Sequence, residues 1–423
     1  MAKVDIPKPK AWPPPEPDDQ QRVSELLEYG AKRDPVGDKV QSLFLALFLF
    51  MLPIDTMPAS VAFIALAIHS ILRTPSTWRC VIPLCRAKGY LAIFLWPLWL
   101  VVSLLWSTNP TQGIDHAGAL WALTILIICM PLLQHWRVAV AAFLAGVFFQ
   151  NCAQITQLIY AILTDVHDLR LGGFNKHYGI SSLFMASASI IYLTLILFAN
   201  KHKRYIYVGL LFSVFGLLIA QGRGVWIGFV CTLLYVFIYK LVKLGITLRG
   251  FVIGAVFMAI ASVFAGVTVG PSILERVGDI PDSITRYQNG DIISGNEKRL
   301  HWWRLELEKS VASPTSFIIG QGLGSTKSLV FPHKKLNTSH PHNMFVQTIY
   351  ENGLIGLALL CITLLYPLRS IKTGSITSIA ISGIALLWIC SALFEGLQNS
   401  GLPLSLLCLL IVLTFKEKYS NAG

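Results

Sequence analysis

Charged residues are scarce in this sequence. Asp, Glu, Lys and Arg together make up 13% of the 423 residues, whereas 54% are hydrophobic. A soluble domain carries about 25% charged residues, so this chain has too little polar surface to face water along its whole length. The shortage excludes a soluble enzyme and a disordered scaffold.

Apolar runs take the place of the missing charge. Runs of about twenty residues, each long enough to cross the hydrocarbon core of a bilayer, recur between residues 40 and 415. They predict an all-α polytopic membrane protein with about 12 transmembrane helices. The predicted spans are 40–54, 59–73, 90–106, 116–134, 138–162, 180–199, 205–220, 224–240, 250–269, 342–366, 376–393 and 402–415.

The distribution of basic residues predicts the orientation of these spans. Lys and Arg in short loops gather on the side of the two termini, which the positive-inside rule places in the cytoplasm. The predicted order is a Pro-rich cytoplasmic tail (1–39), spans one to nine (40–269), a periplasmic loop domain (270–341), spans ten to twelve (342–415) and a cytoplasmic tail (416–423). The inward clusters are Arg73, Arg79, Arg86 and Lys88; Lys201, Lys203 and Arg204; and Lys240, Lys243 and Arg249.

Motifs for metals, nucleotides and nucleic acid are missing. No DxD or DxE occurs on the outward side, where Asp165 and Asp168 are the closest approach. No Walker loop occurs, and the Gly320-x-Gly322-x-Gly324 pattern does not follow a cytosolic strand, so it predicts a turn-rich loop. The net charge of +12 is explained by topology. We therefore expect no metal, no cofactor and no nucleic-acid partner.

Cationic and imidazole side chains gather on the predicted outward face. Arg170, Arg223 and Arg299 lie there, and His340 and His342 stand where the long loop re-enters the membrane. A single Arg at a span end usually reaches lipid headgroups, and a single interfacial His is usually a hydrogen-bonded filler. Three arginines and a His pair on one face favour a binding site for a polyanion.

Two helices carry further patterns. Asn343, Gln347 and Glu351 stand at i, i+4 and i+8 on one helix face, which predicts a polar stripe and a water-filled cavity that opens outward. The second is an amphipathic helix around Arg299, ended by Pro314, with an apolar stripe formed by Leu300, Trp303, Leu307 and Val311.

Three of the motifs lie in an order that resembles a known family. They are QGRGVWIG, KRLHWWRLELEKSVASPTSFIIGQGLGS and HPHNMFVQTIYENGLIGL, and RLGGFNKHYG is a fourth similar segment. With the predicted topology, they resemble the O-antigen ligase and polymerase superfamily, most closely the WaaL-type O-antigen ligases. Where the family has a Ser before its Arg-Gly pair, this chain has Gln221-Gly222.

The resemblance implies a metal-independent inverting glycosyltransferase of GT-C-like architecture in the bacterial inner membrane, with its active site facing the periplasm. The implied donor is an undecaprenyl-diphosphate-linked glycan and the implied acceptor is lipid A–core, beside membrane lipid; a monomer is expected. His342 then occupies the position of the general base, with His340 as the alternative. Arg223 and Arg299 would act on the donor diphosphate. The substrate-binding set would be Arg170, His340, Asn343, Gln347 and Glu351.

Four alternatives remain open on the sequence. An O-antigen polymerase or a protein O-oligosaccharyltransferase of the same superfamily would share the donor chemistry. A flippase for lipid-linked oligosaccharides could also use a cationic cavity, but it would need no long external loop. A GT-C enzyme with an acidic base would use Asp55, in the first outward loop, in place of His342.

Overall fold

The computed structural model describes most of the membrane-embedded part of the chain. All regular structure in the described ranges is helical, and they contain no strand. The predicted ninth span, 250–269, lies outside them, so the count of twelve spans stays a prediction. The described residues are 26–28, 31–77, 81, 90–165, 171–175, 177–199, 204–244, 281–291, 295–329 and 341–420.

In the described residues up to position 244, we number in chain order the eight α-helices of eight or more residues. Their bounds are α1 Pro35–Met51, α2 Thr56–Leu72, α3 Tyr90–Ser103, α4 Pro110–Ala117, α5 Trp136–Leu163, α6 Tyr178–Phe198, α7 Arg204–Ala220 and α8 Arg223–Leu244. The second half adds α9 Gly295–Ser310, α10 Pro314–Ile319, α11 Met344–Leu365, α12 Ile376–Ala392 and α13 Gly401–Ser420.

Several helices are suited to hydrocarbon. Within the described ranges, four stretches are long and apolar enough to cross a membrane: Met130–Leu163, Tyr178–Phe198, Arg223–Lys243 and Met344–Thr373. Shorter apolar helices accompany them at Thr56–Leu72, Tyr90–Trp106, Arg204–Ala220 and Ile376–Ala392. On α8, Val230 and Leu234 leave 63% and 59% of their surface exposed. An apolar face of this kind is expected to contact lipid, and the chain is a multi-pass membrane protein.

The fourth predicted span is not one helix. Residues 116–134 run as the end of α4 followed by short segments, Gly118–Thr124, Ile125–Ile128 and Met130–His135, of which the first and last are 3-10 helices. Pro131 has no N–H to donate to the carbonyl of Ile127, so one helical hydrogen bond is missing where the segment Ile125–Ile128 ends. The apolar composition of this stretch was visible in the sequence, but the breaks were not predicted.

A kink in α11 receives the glycine-rich loop 320–324. Gly353 has φ +65°, which breaks the helical hydrogen-bond ladder. The backbone N–H groups of Gln321 and Gly322 donate to the carbonyls of Tyr350 and Glu351 at 2.9 and 2.7 Å. Gly320, Gly322 and Gly324 all have positive φ, so the predicted turn-rich loop is confirmed. This docking ties the long loop to the membrane helices.

The amphipathic helix predicted around Arg299 exists as α9, but its buried face differs from the predicted one. Leu307 and Val311 are 43% and 66% exposed. The buried side chains are Glu297, Trp302, Glu306 and Ser310. The apolar stripe was misleading because α9 packs through polar groups as well: Glu297 pairs with Arg286 at 2.8 Å.

Candidate functional site

A polar cavity of about 450 Å³ lies at one end of the helix bundle. Helices α2, α6, α11 and α13 begin beside it, and the predicted topology makes this the outward end. Backbone and side-chain groups from five separate segments of the chain meet there. The lining residues are Thr56, Gln112, Asp115, His116, His177, Tyr178, Gly179, Ile180, His342, Glu395, Gly396, Leu397, Asn399, Ser400 and Pro403.

His342, the predicted base, lines this cavity in an unusual backbone conformation. Its φ is +56°, a left-handed geometry that is uncommon outside glycine and that clusters at functional sites. The next residue, Asn343, caps α11, because its Oδ1 accepts from the N–H groups of Phe345 and Val346 at 3.0 and 3.1 Å. Asn343 therefore fixes the start of the helix and, with it, the position of His342.

A carboxylate that the sequence analysis missed faces His342. Oε2 of Glu395 lies 3.5 Å from Nδ1 of His342. Glu395 follows the end of α12, where its segment, LFEGLQNS, is a polar interruption between two apolar helices. An acidic residue in a short outward loop was the signal available in the sequence. A carboxylate at Nδ1 orients an imidazole and leaves Nε2 to accept a proton.

Gln347 contacts a residue of the cavity wall but does not line the cavity itself. It is fully buried, and its Oε1 accepts from Nδ2 of Asn399 at 3.1 Å. Asn399 lines the cavity, whereas Gln347 does not. The sequence prediction therefore identified a residue whose contact with the cavity is indirect.

Glu351 does not line the cavity either, and its carboxylate binds the backbone of the glycine-rich loop. Its Oε1 accepts from the N–H groups of Gly324 and Thr326 at 3.1 and 3.2 Å. Its Oε2 accepts from Nε2 of Gln347 at 3.2 Å. With Asn343, these residues form the predicted polar stripe. Its members bond to protein groups and none of the three lines the cavity, so the predicted water-filled cavity is not formed by this stripe.

Arg223 is the first residue of α8, next to the segment that carries Glu395. The backbone N–H of Gly222 donates to Oγ of Ser182 at 3.2 Å. A Cβ on Gly224 would overlap Phe394, so α8 enters in direct contact with that segment. Arg223 itself is not among the lining residues. Because glycine has no Cβ, Gly224 allows α8 and the segment of Phe394 to approach this closely.

Arg299 lies on α9, which contacts the chain just before His342. Nε1 of Trp303 donates to the carbonyl of Pro341 at 2.7 Å. Arg299 and Trp303 are one turn apart and share a helix face. Arg299 does not line the cavity either. Two predicted site residues, Arg170 and His340, lie outside the described residues.

Asp55, the alternative base, has a helix-capping role. Its Oδ1 accepts from the N–H of Thr56 at 2.7 Å at the start of α2. Thr56 lines the cavity, while Asp55 does not. Asp55 is therefore close to the site, with its carboxylate bonded to the backbone.

A second missed element is α4, which brings three polar residues to the cavity. Gln112, Asp115 and His116 all line it. Burial, and to a smaller extent the charge of Lys327, lowers the pKa of His116 to about 4 against an opposing effect of Asp115. The imidazole is therefore neutral at pH 7. The sequence held no pattern that would have linked α4 to His342.

The described residues include no group of three His, Cys, Asp or Glu side chains placed to hold a metal ion. Independence from metals stays a prediction, because Asp168 and other residues lie outside the described ranges.

Comparison with known families adds one finding. A family model described as O-antigen ligase (Wzy_C) matches residues 208–361, which is less than half of the chain. The matched segment contains Arg223, Arg299 and His342 but neither α4 nor Glu395. No curated protein matches the chain. The match supports placing this protein in the O-antigen ligase superfamily, as a membrane enzyme of the glycosyltransferase type.

Proposed function

We propose that the protein is an O-antigen ligase. In this proposal it transfers an O-antigen glycan from undecaprenyl diphosphate to a sugar hydroxyl of lipid A–core, on the periplasmic side of the bacterial inner membrane. The main support for this proposal is the pairing of His342 with Glu395 at a polar cavity. His342 lies within the segment that resembles this family, and Glu395 lies outside it.

His342 acts as the general base in this reaction. The nearby Glu395 carboxylate favours a proton on Nδ1. Nε2 then takes the proton of the acceptor hydroxyl as that oxygen attacks the anomeric carbon of the donor glycan. The new C–O bond forms as the bond from the anomeric carbon to the diphosphate oxygen breaks, which inverts the configuration. The bonding electrons leave with undecaprenyl diphosphate. General-base help of this kind contributes about 10²–10⁴-fold to the rate.

Arginines stabilise the leaving group. Arg223, Arg299 and Arg170 form the proposed clamp on the diphosphate, because guanidinium groups bind phosphate oxygens through paired hydrogen bonds. Arg223 stands at the first turn of α8, where the positive end of the helix dipole also favours an anion. Negative charge grows on the diphosphate as the bond breaks, so these contacts strengthen in the transition state.

The acceptor separates this proposal from its nearest relatives. A polymerase would pass the glycan to a second lipid-linked glycan, and a protein transferase would pass it to a Ser or Thr hydroxyl. Both would use the same donor and the same base.

A flippase would need a cationic pathway through the helix bundle. Among the described residues, few charged side chains are buried in the core, and they form no such pathway. This favours an enzyme over a flippase.

The test is a transfer assay with the full-length protein in detergent, run in EDTA. Undecaprenyl-diphosphate-linked glycan is supplied with lipid A–core, with a second lipid-linked glycan, or with a Ser/Thr peptide. The proposal expects product only with lipid A–core and no requirement for metal. Product only with one of the other acceptors would reassign the enzyme within the superfamily. Loss in EDTA, with recovery in magnesium or manganese, would contradict the metal-independent mechanism.

A further inference from the structure

The cavity around His342 is chemically unlike a diphosphate site. Two carboxylates line it, Asp115 and Glu395, together with the imidazoles of His116, His177 and His342. No Lys or Arg in the described ranges lines it. Carboxylates repel a diphosphate at short range. The same groups are well suited to sugar hydroxyls, which donate to carboxylates and both donate to and accept from neutral polar groups.

Helix α4 holds its polar groups at the cavity through its own packing. Oδ1 of Asn109 caps the helix by accepting from the N–H of Gln112 at 3.2 Å. On another side of the helix, a Cβ on Gly113 would overlap the carbonyl of Leu323, so α4 lies directly against the glycine-rich loop. Gln112 and His116 are one turn apart and share a face. Both are buried, while Asp115 is exposed beside them.

Two of these groups retain hydrogen-bonding capacity for a ligand. Oε1 of Gln112 accepts from Nζ of Lys327 at 2.8 Å, which leaves its Nε2 group as the donor. Nδ1 of His116 is buried and has no hydrogen-bond partner in the described part of the chain. A neutral imidazole offers one donor and one acceptor nitrogen. A buried nitrogen without a protein partner at a cavity wall can form a hydrogen bond with a bound ligand or water.

We infer that Gln112, Asp115 and His116 form a sugar-binding subsite that holds the acceptor for attack from the His342 side of the cavity. This inference rests on the proposed function, and it names the residues that bind the acceptor sugar. The arginines are then left to bind the donor diphosphate at a neighbouring position. Acceptor and donor are thus recognised by groups of different chemistry on different elements.

The experiment measures acceptor and donor separately. Full-length Asp115→Asn and His116→Leu proteins are compared with wild type in the transfer assay and in calorimetric titration with core oligosaccharide released from lipid A. Each lost hydrogen bond should raise the KM for lipid A–core and the Kd for the oligosaccharide by about tenfold. The KM for the lipid-linked donor should stay within about twofold of wild type. His116→Gln, which keeps a neutral hydrogen-bonding group, should recover part of the loss.

Controls separate this inference from the function on which it rests. Asp282→Asn removes an exposed carboxylate from the long loop and should change neither constant. Transfer that depends on His342, with acceptor constants unchanged in both α4 variants, overturns the subsite and leaves the ligase proposal standing. Oligosaccharide binding that depends on α4, with no transfer to any acceptor, keeps the subsite and overturns the proposed activity. A rise in donor KM equal to that for the acceptor would also overturn the subsite.

Discussion

Oε2 of Glu395 lies 3.5 Å from Nδ1 of His342, although His342 precedes α11 in the sequence and Glu395 follows α12. The left-handed backbone at His342 and the cap made by Asn343 hold the imidazole at the cavity. The 3.5 Å separation allows an ion pair when the imidazole is protonated. In the proposed mechanism, Nε2 is the nitrogen that accepts a proton from a hydroxyl in the cavity.

This pairing predicts the behaviour of Glu395→Gln. The amide keeps the size of the side chain but loses the charge that stabilises the imidazolium formed during the reaction. We expect kcat to fall, by less than the loss caused by His342→Ala, while the KM for the donor stays near wild type. Steady-state kinetics measure this split. An unchanged kcat would show that Glu395 does not assist His342.

Arg223 is predicted to act on the donor. Arg223→Ala should weaken donor binding and lower the rate, because in the proposed clamp the guanidinium contacts the diphosphate in both the bound and the transition state. Arg223→Lys should recover only part of the activity, since an ammonium group cannot form the paired contacts of a guanidinium. Donor KM and kcat are the measurements.

The matched control for Arg223 is Arg304→Ala. Arg304 is an exposed arginine on α9 that pairs with Glu308 at 2.7 Å. Its removal should leave donor KM and kcat unchanged. Equal losses in the two alanine variants would indicate a general charge effect and would contradict a specific clamp.

The glycine-rich loop offers a test of how the cavity is assembled. Gly322 has φ +89°, and a Cβ there would overlap the backbone of Ser107. Gly290 has φ +85° with nothing within 4 Å of the added Cβ. Gly290→Ala should cost about 1–2 kcal/mol of backbone strain at most. Gly322→Ala should lower the Tm further and reduce transfer, because the loop must move away from the backbone of Ser103 and Ser107, where α3 ends and the connection to α4 begins. Similar Tm values for the two variants would contradict this packing.

Most of the long apolar helices could be predicted from the sequence. Apolar runs located α5 to α8 and α11 to α13 within a few residues, because hydrocarbon requires helices of that length. The broken stretch 116–134 was missed, since apolar composition does not report how Pro131 and its neighbours interrupt a helix. The motifs that contain His342, Arg223 and Arg299 resemble one superfamily, and of these three residues the structure places His342 in the cavity lining.

The rest of the site could not be predicted because it depends on contacts between distant segments. Glu395, Asp115 and His116 have no common spacing with His342. Glu351 looked like a cavity residue because a helix face has a regular period, whereas its partners are loop N–H groups from Gly324 and Thr326. Periodicity gives the face of a helix, but it does not give what covers that face.

Glu306 predicts a pH dependence of stability. It is fully buried on α9, and burial, with an added contribution from the nearby Glu351 carboxyl, raises the pKa of Glu306 well above its usual value. An unfolded glutamate titrates near pH 4.3. Between these values the folded chain holds a proton that the unfolded chain has lost, so stability falls as the pH rises. Glu306→Gln should therefore flatten the decline of Tm as the pH rises above the unfolded pKa of about 4.3, and it should raise Tm at alkaline pH.

Glu308→Gln is the control for Glu306. Glu308 is exposed on the same helix, and its removal should leave the slope of Tm against pH as in wild type. If Glu306→Gln kept the wild-type slope as well, the buried carboxyl would not be protonated in the folded protein.

His342 is proposed to remove the proton from the acceptor hydroxyl, and the rate of single-turnover transfer by the full-length protein reports on that step. His342→Ala should lower the rate by about 10²–10⁴-fold and leave the Kd for the lipid-linked donor nearly unchanged. Asp55→Asn, which keeps a residue able to cap α2, should transfer at close to the wild-type rate. The account is contradicted if Asp55→Asn abolishes transfer while His342→Ala remains near wild type.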